Sequence, residues 1–309
     1  MKKTKGKLSL LIAATSVALA GVAFSCSKSS TPSLPKIGPY DNSNQVASTN
    51  LLAHWTFDGT SNETISSAAP SKTVGATFGT GVKGQALTLT NGYLLFPAIT
   101  KLNTANAVAS FTVSAWVNVD NNGSTVSEVF ALTQSATAQS DWNTGAISMY
   151  LETGHAKNTD DTLVFHGAFS TYTGTGGTRL GGDNINDYGV RGTDFQTVKS
   201  TNKWVHYVLR YDAAGSNIDI FANGVRVSNN NFRNRTTGNP AVGIGPIVQT
   251  VPTQVLIGGI PNATTGYANS AAQVWQGLFT GSIDELRVYN SALQDTDIGY
   301  LYQLELAGR

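Results

Sequence analysis

Hydrophobic and polar residues alternate along most of the chain after residue 50. Alternation with a period of two is typical of β-strands that bury one face. Asn223-Gly224 separates two alternating runs by two residues, which is a strong hairpin signal because both turn positions need a positive φ. The predicted strands include residues 53–57, 86–90, 111–119, 204–211, 217–222 and 225–227.

In the predicted strand 111–119 the odd positions form one apolar face, whereas Trp116 points to the other face. Such a strand is either covered on both faces or presents Trp116 toward a groove, and we favour covering because tryptophans are highly buried on average. Helical spacing appears near the C-terminus, at Ile298, Leu301 and Tyr302, with Asp295 as the N-cap. The sequence therefore predicts an all-β fold with a short C-terminal helix.

The composition agrees with a strand-and-turn protein. The chain of 309 residues has 32 glycines, 13% charged residues and 40% apolar residues. This argues against a long coiled coil and against a wholly disordered chain, and it suits one large sandwich or barrel. Residues 170–202 are mostly Gly, Thr, Asn and Asp. They predict extended loops, where binding sites are usually found.

The N-terminus predicts a lipoprotein signal peptide over residues 1–25. Four lysines precede an apolar or small-residue run over 8–24, which is short for a membrane span. The end of this run resembles a bacterial lipobox, in which Cys26 becomes the lipidated first residue. The alternative is cleavage after Ala20 or Ala23, which would leave Cys26 as a free exported thiol. Because such a thiol is unusual, we expect lipidation at Cys26.

Residues 26–49 are polar and contain three prolines, which predicts a flexible tether. We expect the protein in the bacterial cell envelope, lipid-anchored in the outer membrane, with surface exposure left open. Without residues 1–25 the formal net charge falls from +1 to −3, because four lysines and no acidic residue are removed. That balance, with no basic cluster beyond the N-terminus, argues against nucleic acid as a partner.

Four segments of the chain, in order, share the motifs of one family. They contain Trp55-Thr56-Phe57-Asp58, then the strand ending in Trp116, then Trp204-Val205-His206 with Asn223-Gly224, and finally Ile283-Asp284-Glu285. These segments resemble laminin-G-like domains of the concanavalin A-like lectin/glucanase superfamily. The resemblance implies two antiparallel sheets packed as a jelly-roll sandwich over residues 50–309. It also implies that the first and last strands are neighbours.

The carboxylates of the chain do not match the catalytic pattern of this superfamily. Its glucanases carry a Glu-x-Asp-x-x-Glu run, in which a spacing of two places the acids on one strand face. Here Asp284 and Glu285 are adjacent, whereas Asp295 and Asp297 fall at the predicted helix start. The sequence also lacks a nucleophile elbow, a Walker loop and a Cys/His zinc set. We therefore predict no catalytic residues and favour a protein that is not an enzyme.

Aromatic residues in polar, turn-rich surroundings are the candidates for ligand contact. Sugars stack their C–H faces on aromatic rings, while amides and carboxylates bind the hydroxyls. For each aromatic residue the alternative is packing under a loop. Trp142 and Trp275 are the strongest candidates, and the full set is Trp142, Trp275, Tyr172, Tyr188 and Tyr267.

The resulting prediction is an exported, lipid-anchored, non-catalytic carbohydrate-binding protein. Its partner would be a polysaccharide or another glycan, with membrane contact through the lipid anchor only. Two alternatives stay open. One is a glycoside hydrolase or lyase with a non-standard site, and the other is an adhesion or scaffold module that binds protein.

A calcium site is the one cofactor that the resemblance suggests. It places Asp58 near Asp284, because the terminal strands are neighbours, and two carboxylates with loop carbonyls suit a hard cation. Asp284 also begins an apolar face with Leu286 and Val288, where an unpaired carboxylate is costly. The alternative is that Asp58 caps the turn at Gly59 and that Asp284 accepts backbone N–H groups.

If calcium binds at Asp58 and Asp284, it stabilises the folded state by mass action. We expect the thermal unfolding midpoint of the wild-type protein to rise with added calcium and to fall with a chelator. Differential scanning calorimetry measures this shift. A wild-type midpoint that does not respond to either reagent would reject the site.

Overall fold

Antiparallel β-strands make up most of the fold, seen in a computed structural model that describes residues 34–156, 159–173 and 177–309. Residues 35–309 form one unit. The predicted signal peptide and Cys26 lie outside the described residues. Within the described ranges, none of the helices has the length and apolar character needed to cross a membrane.

The strands are β1 (Leu51–Trp55), β2 (Lys72–Thr80), β3 (Gln85–Phe96), β4 (Phe111–Val119), β5 (Ser127–Gln134), β6 (Ile147–Leu151), β7 (Phe165–Thr173), β8 (Thr178–Ile185), β9 (Val205–Asp212), β10 (Asn217–Ala222), β11 (Val225–Arg226), β12 (Thr236–Thr237), β13 (Val242–Gly243), β14 (Thr253–Ile257) and β15 (Phe279–Tyr289). The α-helix α1 spans Asp295–Leu306, and short 3₁₀ turns occur at Ser43–Gln45, Ser48–Asn50, Thr100–Leu102, Asn230–Phe232 and Ala263–Thr265.

Thirteen strands form one continuous ladder in the order β11-β10-β9-β4-β15-β3-β14-β5-β6-β7-β8, with β1 paired to β15 and β2 to β3. The long strand β15 pairs with β4 on one side and changes partner on the other, from β3 over its first half to β1 over its second. The ladder folds over into two layers, which gives a jelly-roll sandwich. As predicted, the first and last strands are neighbours.

The main core lies between the two layers. One face of β4 enters it through Phe111, Val113 and Ala115, and the alternating residues Ile147 and Met149 of β6 enter it from the opposite layer. Burying these apolar side chains contributes roughly 25 cal/mol per Å² removed from water. The period-two pattern of the sequence therefore marks the core face of each strand.

A second apolar cluster lies on the outer face of one layer, under α1. Ile298 and Leu301 of the helix pack there with Val208 and Phe221 of the sheet. Trp116 is buried on the same side, where its ring stacks on Tyr302 at a centroid distance of 5.5 Å. The strand β4 is thus covered on both faces, as favoured from the sequence.

The structure differs from the predicted tether over residues 35–49. This stretch belongs to the domain, with Val46 buried against the α1 cluster and Ile37 partly buried beside it. The backbone N–H of Ser43 donates to the carbonyl of Arg309. The prediction was wrong here because a few apolar residues in a polar stretch are enough to dock it on the helix.

The structure also differs from the predicted loops in the first half of residues 170–202, whereas residues 186–202 contain no regular strand and agree with the prediction. Strands β7 and β8 form a hairpin that is paired from His166↔Ile185 to Thr173↔Thr178. This stretch carries little apolar alternation, so the period-two signal is weak. The ladder nevertheless forms because backbone hydrogen bonds do not depend on apolar side chains.

A buried ionic network ties α1 and the N-terminal segment to β15. Arg287 is fully buried, and its Nε donates to Glu305 of α1 at 2.8 Å. The guanidinium also bonds to Glu285, Ser43 and Asn44. Burial opposes ionisation of Glu285, but His54 and Arg287 outweigh it and lower its pKa to about 2.

Replacing Arg287 with methionine tests this network. The change leaves Glu285 and Glu305 buried with too few cations, so we expect a loss of about 3–5 kcal/mol in the free energy of unfolding. Urea unfolding measures the loss. The control is Lys199→Met, whose partner Asp161 is exposed, and this variant should unfold like the wild type. A stability for Arg287→Met equal to that of the control would contradict the role assigned to Arg287.

Candidate functional site

The two tryptophans that the sequence favours lie in contact. Trp142 belongs to the connection between β5 and β6, and Trp275 to the segment before β15. Their ring centroids are 5.2 Å apart with an interplanar angle of 83°, and Tyr150 of β6 meets Trp142 at 6.1 Å. We call Trp142, Tyr150 and Trp275 the aromatic cluster. Both tryptophans are half-buried, so part of each ring is open to solvent.

Hydrogen bonds fix both tryptophan-bearing segments. The buried amide of Gln139 donates to the carbonyls of Asp141 and Trp142, at 2.7 and 3.4 Å. The carbonyl of Trp275 accepts from the backbone N–H of Val126 at 3.0 Å. The aromatic cluster is therefore set by the backbone of two separate segments.

A row of polar side chains runs from the aromatic cluster across β6, β7 and β8. Tyr150 pairs with His166 in the ladder, and Ala168 pairs with Asp183. Side chains of paired residues lie on the same face. This face points away from the core, because Ile147, Met149, Phe165 and Phe169 on the alternate positions are core residues.

Two cavities lie along this face and share Trp142 and Tyr150. The larger has a volume of about 420 Å³ and is also lined by His166, Arg179 and Asp183. The smaller has a volume of about 240 Å³ and is also lined by Trp275, Glu152 and His155. We call the two together the groove.

A chain of charged groups forms the floor of the groove. His166 Nδ1 lies 2.7 Å from Glu152 Oε1, and its Nε2 lies 3.0 Å from Asp183 Oδ2. Arg235 binds the other oxygen of Asp183. Burial opposes protonation of His166, but the hydrogen bonds to Asp183 and Glu152 outweigh it and raise the pKa of the imidazole. The bond from His166 in turn holds the pKa of Asp183 below its usual range.

Arg179 of β8 also lines the larger cavity. Its Nε donates to Ser170 Oγ at 3.0 Å and its Nη2 to the carbonyl of Asn143 at 2.8 Å. Ser170 is fully buried. The guanidinium is thus oriented by fixed groups of the sheet and of the loop that carries Trp142.

The other aromatic candidates lie in different surroundings. Tyr172 is at the base of the Trp142 loop, where its hydroxyl donates to the carbonyl of Thr144 at 2.8 Å. Tyr188 is 58% exposed and packs near Phe232 instead of in the groove. The prediction that Tyr267 contacts a ligand was wrong. Its ring is fully buried and its hydroxyl bonds to Thr133, which leaves no face for a ligand.

Sequence reasoning missed most of the polar groups of the groove. The alternation in residues 147–151 contains a signal, since it places Tyr150 opposite the apolar positions. No local sequence pattern links Glu152, His166 and Asp183. They come together because β6 pairs with β7 and β7 pairs with β8. Arg179 likewise falls in a stretch that predicts loop.

Asp58 and Asp284 both accept backbone N–H groups at the start of β3 or just before it. Asp58 Oδ1 accepts from the N–H of Gln85 at 2.8 Å, and Asp284 Oδ2 accepts from Val82 and Lys83 at 2.8 and 3.0 Å. Burial raises the pKa of Asp284 to about 7. Among the described residues no group of three or more His, Cys, Asp or Glu is placed to hold a metal. Calcium at this position stays a prediction.

The pKa of His166 gives a prediction for pH. Because its folded-state pKa is raised above 6.5, its stabilising effect is complete below about pH 6.5 and is lost as pH rises through the folded value. We therefore expect the difference in unfolding free energy between wild type and His166→Gln to shrink as the pH rises from about 6.5 through the folded-state pKa of His166. Unfolding measured as a function of pH tests the difference, and an NMR titration of His166 with a midpoint below 6.5 would contradict it.

Comparisons with known proteins show the fold. No protein-family model matches the chain. No curated protein matches it by sequence. Among solved structures, the botulinum neurotoxin serotype G binding domain matches with 11% identity and a TM-score of 0.51, over 82% of this chain and 51% of that chain.

Two further solved structures are similar at lower scores. Domain 4 of AbnA, a GH43 extracellular arabinanase from Geobacillus stearothermophilus in complex with arabinotriose, has 18% identity and a TM-score of 0.48, over 82% of this chain and 98% of that chain. The botulinum neurotoxin serotype D ligand binding domain in complex with N-acetylneuraminic acid has 11% identity and a TM-score of 0.47, over 84% and 52%. The match thus spans about half the length of the two toxin chains. At these identities the likeness is one of fold alone, and the chain has a jelly-roll β-sandwich.

Proposed function

We propose that the protein binds carbohydrate in the groove without acting on it chemically. The observation that carries the proposal is the contact between Trp142 and Trp275 beside a row of polar side chains. Ring faces bind the C–H faces of a sugar, and polar groups placed next to them bind its hydroxyls. The groove offers both along one face of the sheet.

The polar groups of the groove suit ligand binding because they are held in place before a ligand arrives. His166 is fixed from both ring nitrogens, and Arg179 is fixed by Ser170 and by the Asn143 carbonyl. Groups that are already oriented lose little conformational entropy on binding. These side chains stand on paired strands, and a site built on strands holds its groups more precisely than a site built on loops.

The state of the acids favours binding over hydrolysis. A glycoside hydrolase needs a general acid whose pKa is raised, paired with a second carboxylate. In the groove the pKa of Asp183 is lowered by the bond from His166, which stabilises the anion instead. Glu128 does have a pKa that burial raises well above its usual range, but its side chain is fully buried under Ser148 and Met149.

The proposed place of action is the cell envelope. The signal peptide over residues 1–25 and lipidation at Cys26 would put the domain outside the cytoplasmic membrane, where polysaccharides are found. Because residues 35–49 pack on the domain, they do not serve as a flexible tether. The finer assignment to the laminin-G-like group is part of this proposal and rests on the motifs in the sequence.

Affinity electrophoresis against a panel of polysaccharides, with a glycan array, tests the function. We expect retention of the wild-type protein, and a loss of about thirty-fold in affinity for Trp142→Ala and for Trp275→Ala, since a central aromatic anchor contributes about 2 kcal/mol. Tyr188→Ala is the matched control, because it removes an exposed aromatic ring outside the groove. Circular dichroism verifies that each variant is folded.

Two results would overturn the proposal. One is a wild-type protein that no glycan of the panel retains. The other is retention that neither tryptophan substitution weakens.

A further inference from the structure

We infer that the ligand is an acidic glycan, whose carboxylate or sulfate group binds Arg179 while the sugar chain continues past Trp142 to Trp275. This inference rests on the proposed function and names the class of glycan. It is carried by the placement of one guanidinium in the groove and by the charges that surround it.

Arg179 keeps hydrogen-bond donors that a ligand can use. A guanidinium has five N–H donors, and two are used by Ser170 Oγ and the Asn143 carbonyl. The other three have no hydrogen-bond partner in the part of the chain that the structure describes. A planar guanidinium held in one orientation is well suited to bind a carboxylate or a sulfate through parallel hydrogen bonds.

The charge of Arg179 is not balanced by the protein. No carboxylate of the described residues lies within 4.0 Å of its nitrogens, whereas most other arginines there form ion pairs with Asp or Glu. The paired arginines are Arg210, Arg226, Arg233, Arg235 and Arg287. Arg191 and Arg309 also lack an ion pair, but neither lines the groove.

The other charged groups of the groove have partners within the protein. Glu152 contacts His166, and Asp183 contacts both His166 and Arg235. Arg179 is thus the cation lining the larger cavity that no carboxylate of the described residues pairs. An anionic substituent would supply the missing partner, and a neutral sugar would leave the cation unpaired.

The two cavities indicate a ligand longer than one sugar. Arg179 lies in the cavity of about 420 Å³ and Trp275 in the cavity of about 240 Å³, with Trp142 and Tyr150 common to both. A single sugar ring on Trp275 would leave Arg179 unused. We therefore expect an oligosaccharide that places its acidic unit on Arg179 and a neighbouring unit on the tryptophans.

The test compares polymers that differ only in charge. Affinity electrophoresis and calorimetry would use demethylated polygalacturonate against the same polymer with its carboxylates methyl-esterified, and sulfated against unsulfated dextran. We expect the wild-type protein to bind the charged member of at least one pair at least tenfold more tightly at low salt. The advantage should shrink as salt is added, because screening weakens the exposed ion pair. The polygalacturonate pair reports a carboxylate ligand, and the dextran pair reports a sulfate ligand.

Variants at Arg179 identify the residue. Arg179→Gln should remove the preference for the charged polymer while leaving binding of the neutral member, and Arg179→Lys should retain part of it. Arg191→Gln is the matched control, since it removes an exposed arginine outside the groove and should behave as the wild type. Thermal unfolding of each variant verifies that the sandwich is intact.

The outcomes separate this inference from the proposed function. Tryptophan-dependent binding with equal affinity for charged and neutral polymers would overturn the inference and leave carbohydrate binding standing. A preference that persists in Arg179→Gln would overturn the assignment to Arg179. Absence of binding to every polymer would overturn both.

Discussion

The buried guanidinium of Arg287 is the constraint on which the arrangement of the domain depends. It lies on the central strand β15 and binds Glu305 of α1, Glu285 of its own strand and the Ser43-Asn44 turn of the N-terminal segment. A buried charge is tolerated when its partners are all present, and removing one of them is strongly destabilising. The helix, the strand and the N-terminal segment must therefore dock together. Apolar packing under α1 then seals one outer face of the sandwich.

In the part of the chain that the structure describes, α1 does not reach the outer face of β6, β7 and β8, and this is where the groove forms. The outer face of β6, β7 and β8 carries Tyr150, His166 and Asp183. Two loops bring Trp142 and Trp275 to the end of this face. A sheet face that carries polar side chains, with aromatic loops at its edge, suits ligand binding. The helix α1 and the Arg287 network thus lie on one layer, and the groove proposed to bind carbohydrate lies on the other.

The sequence predicted regular elements well where the period-two pattern was strong. The strand over 111–119 was predicted with the bounds observed for β4. The C-terminal helix was predicted where α1 forms, but its N-cap is Gln294 and Asp295 is its first helical residue. The pattern was misleading around Asp284, which strict alternation places on the face of Leu286 and Val288. A bulge in β15, with Glu285 at a φ of 46°, changes the phase there. Both carboxylates leave the core side, and Ile283 joins Leu286 and Val288 in the core.

By itself, the sequence determined the class of fold, the order of the motifs and the aromatic residues worth testing, because strand periodicity and turn chemistry are local properties of the chain. It also indicated Trp142 and Trp275 from their polar surroundings. Only the tertiary structure decided that these two rings meet, that Tyr267 is buried, and that Glu152, His166 and Asp183 form one chain of contacts. Such contacts depend on which strands become neighbours, and that order is set by burial of the whole core and by the network around Arg287. No short segment of the sequence specifies these contacts, because each of them joins residues from different strands or loops.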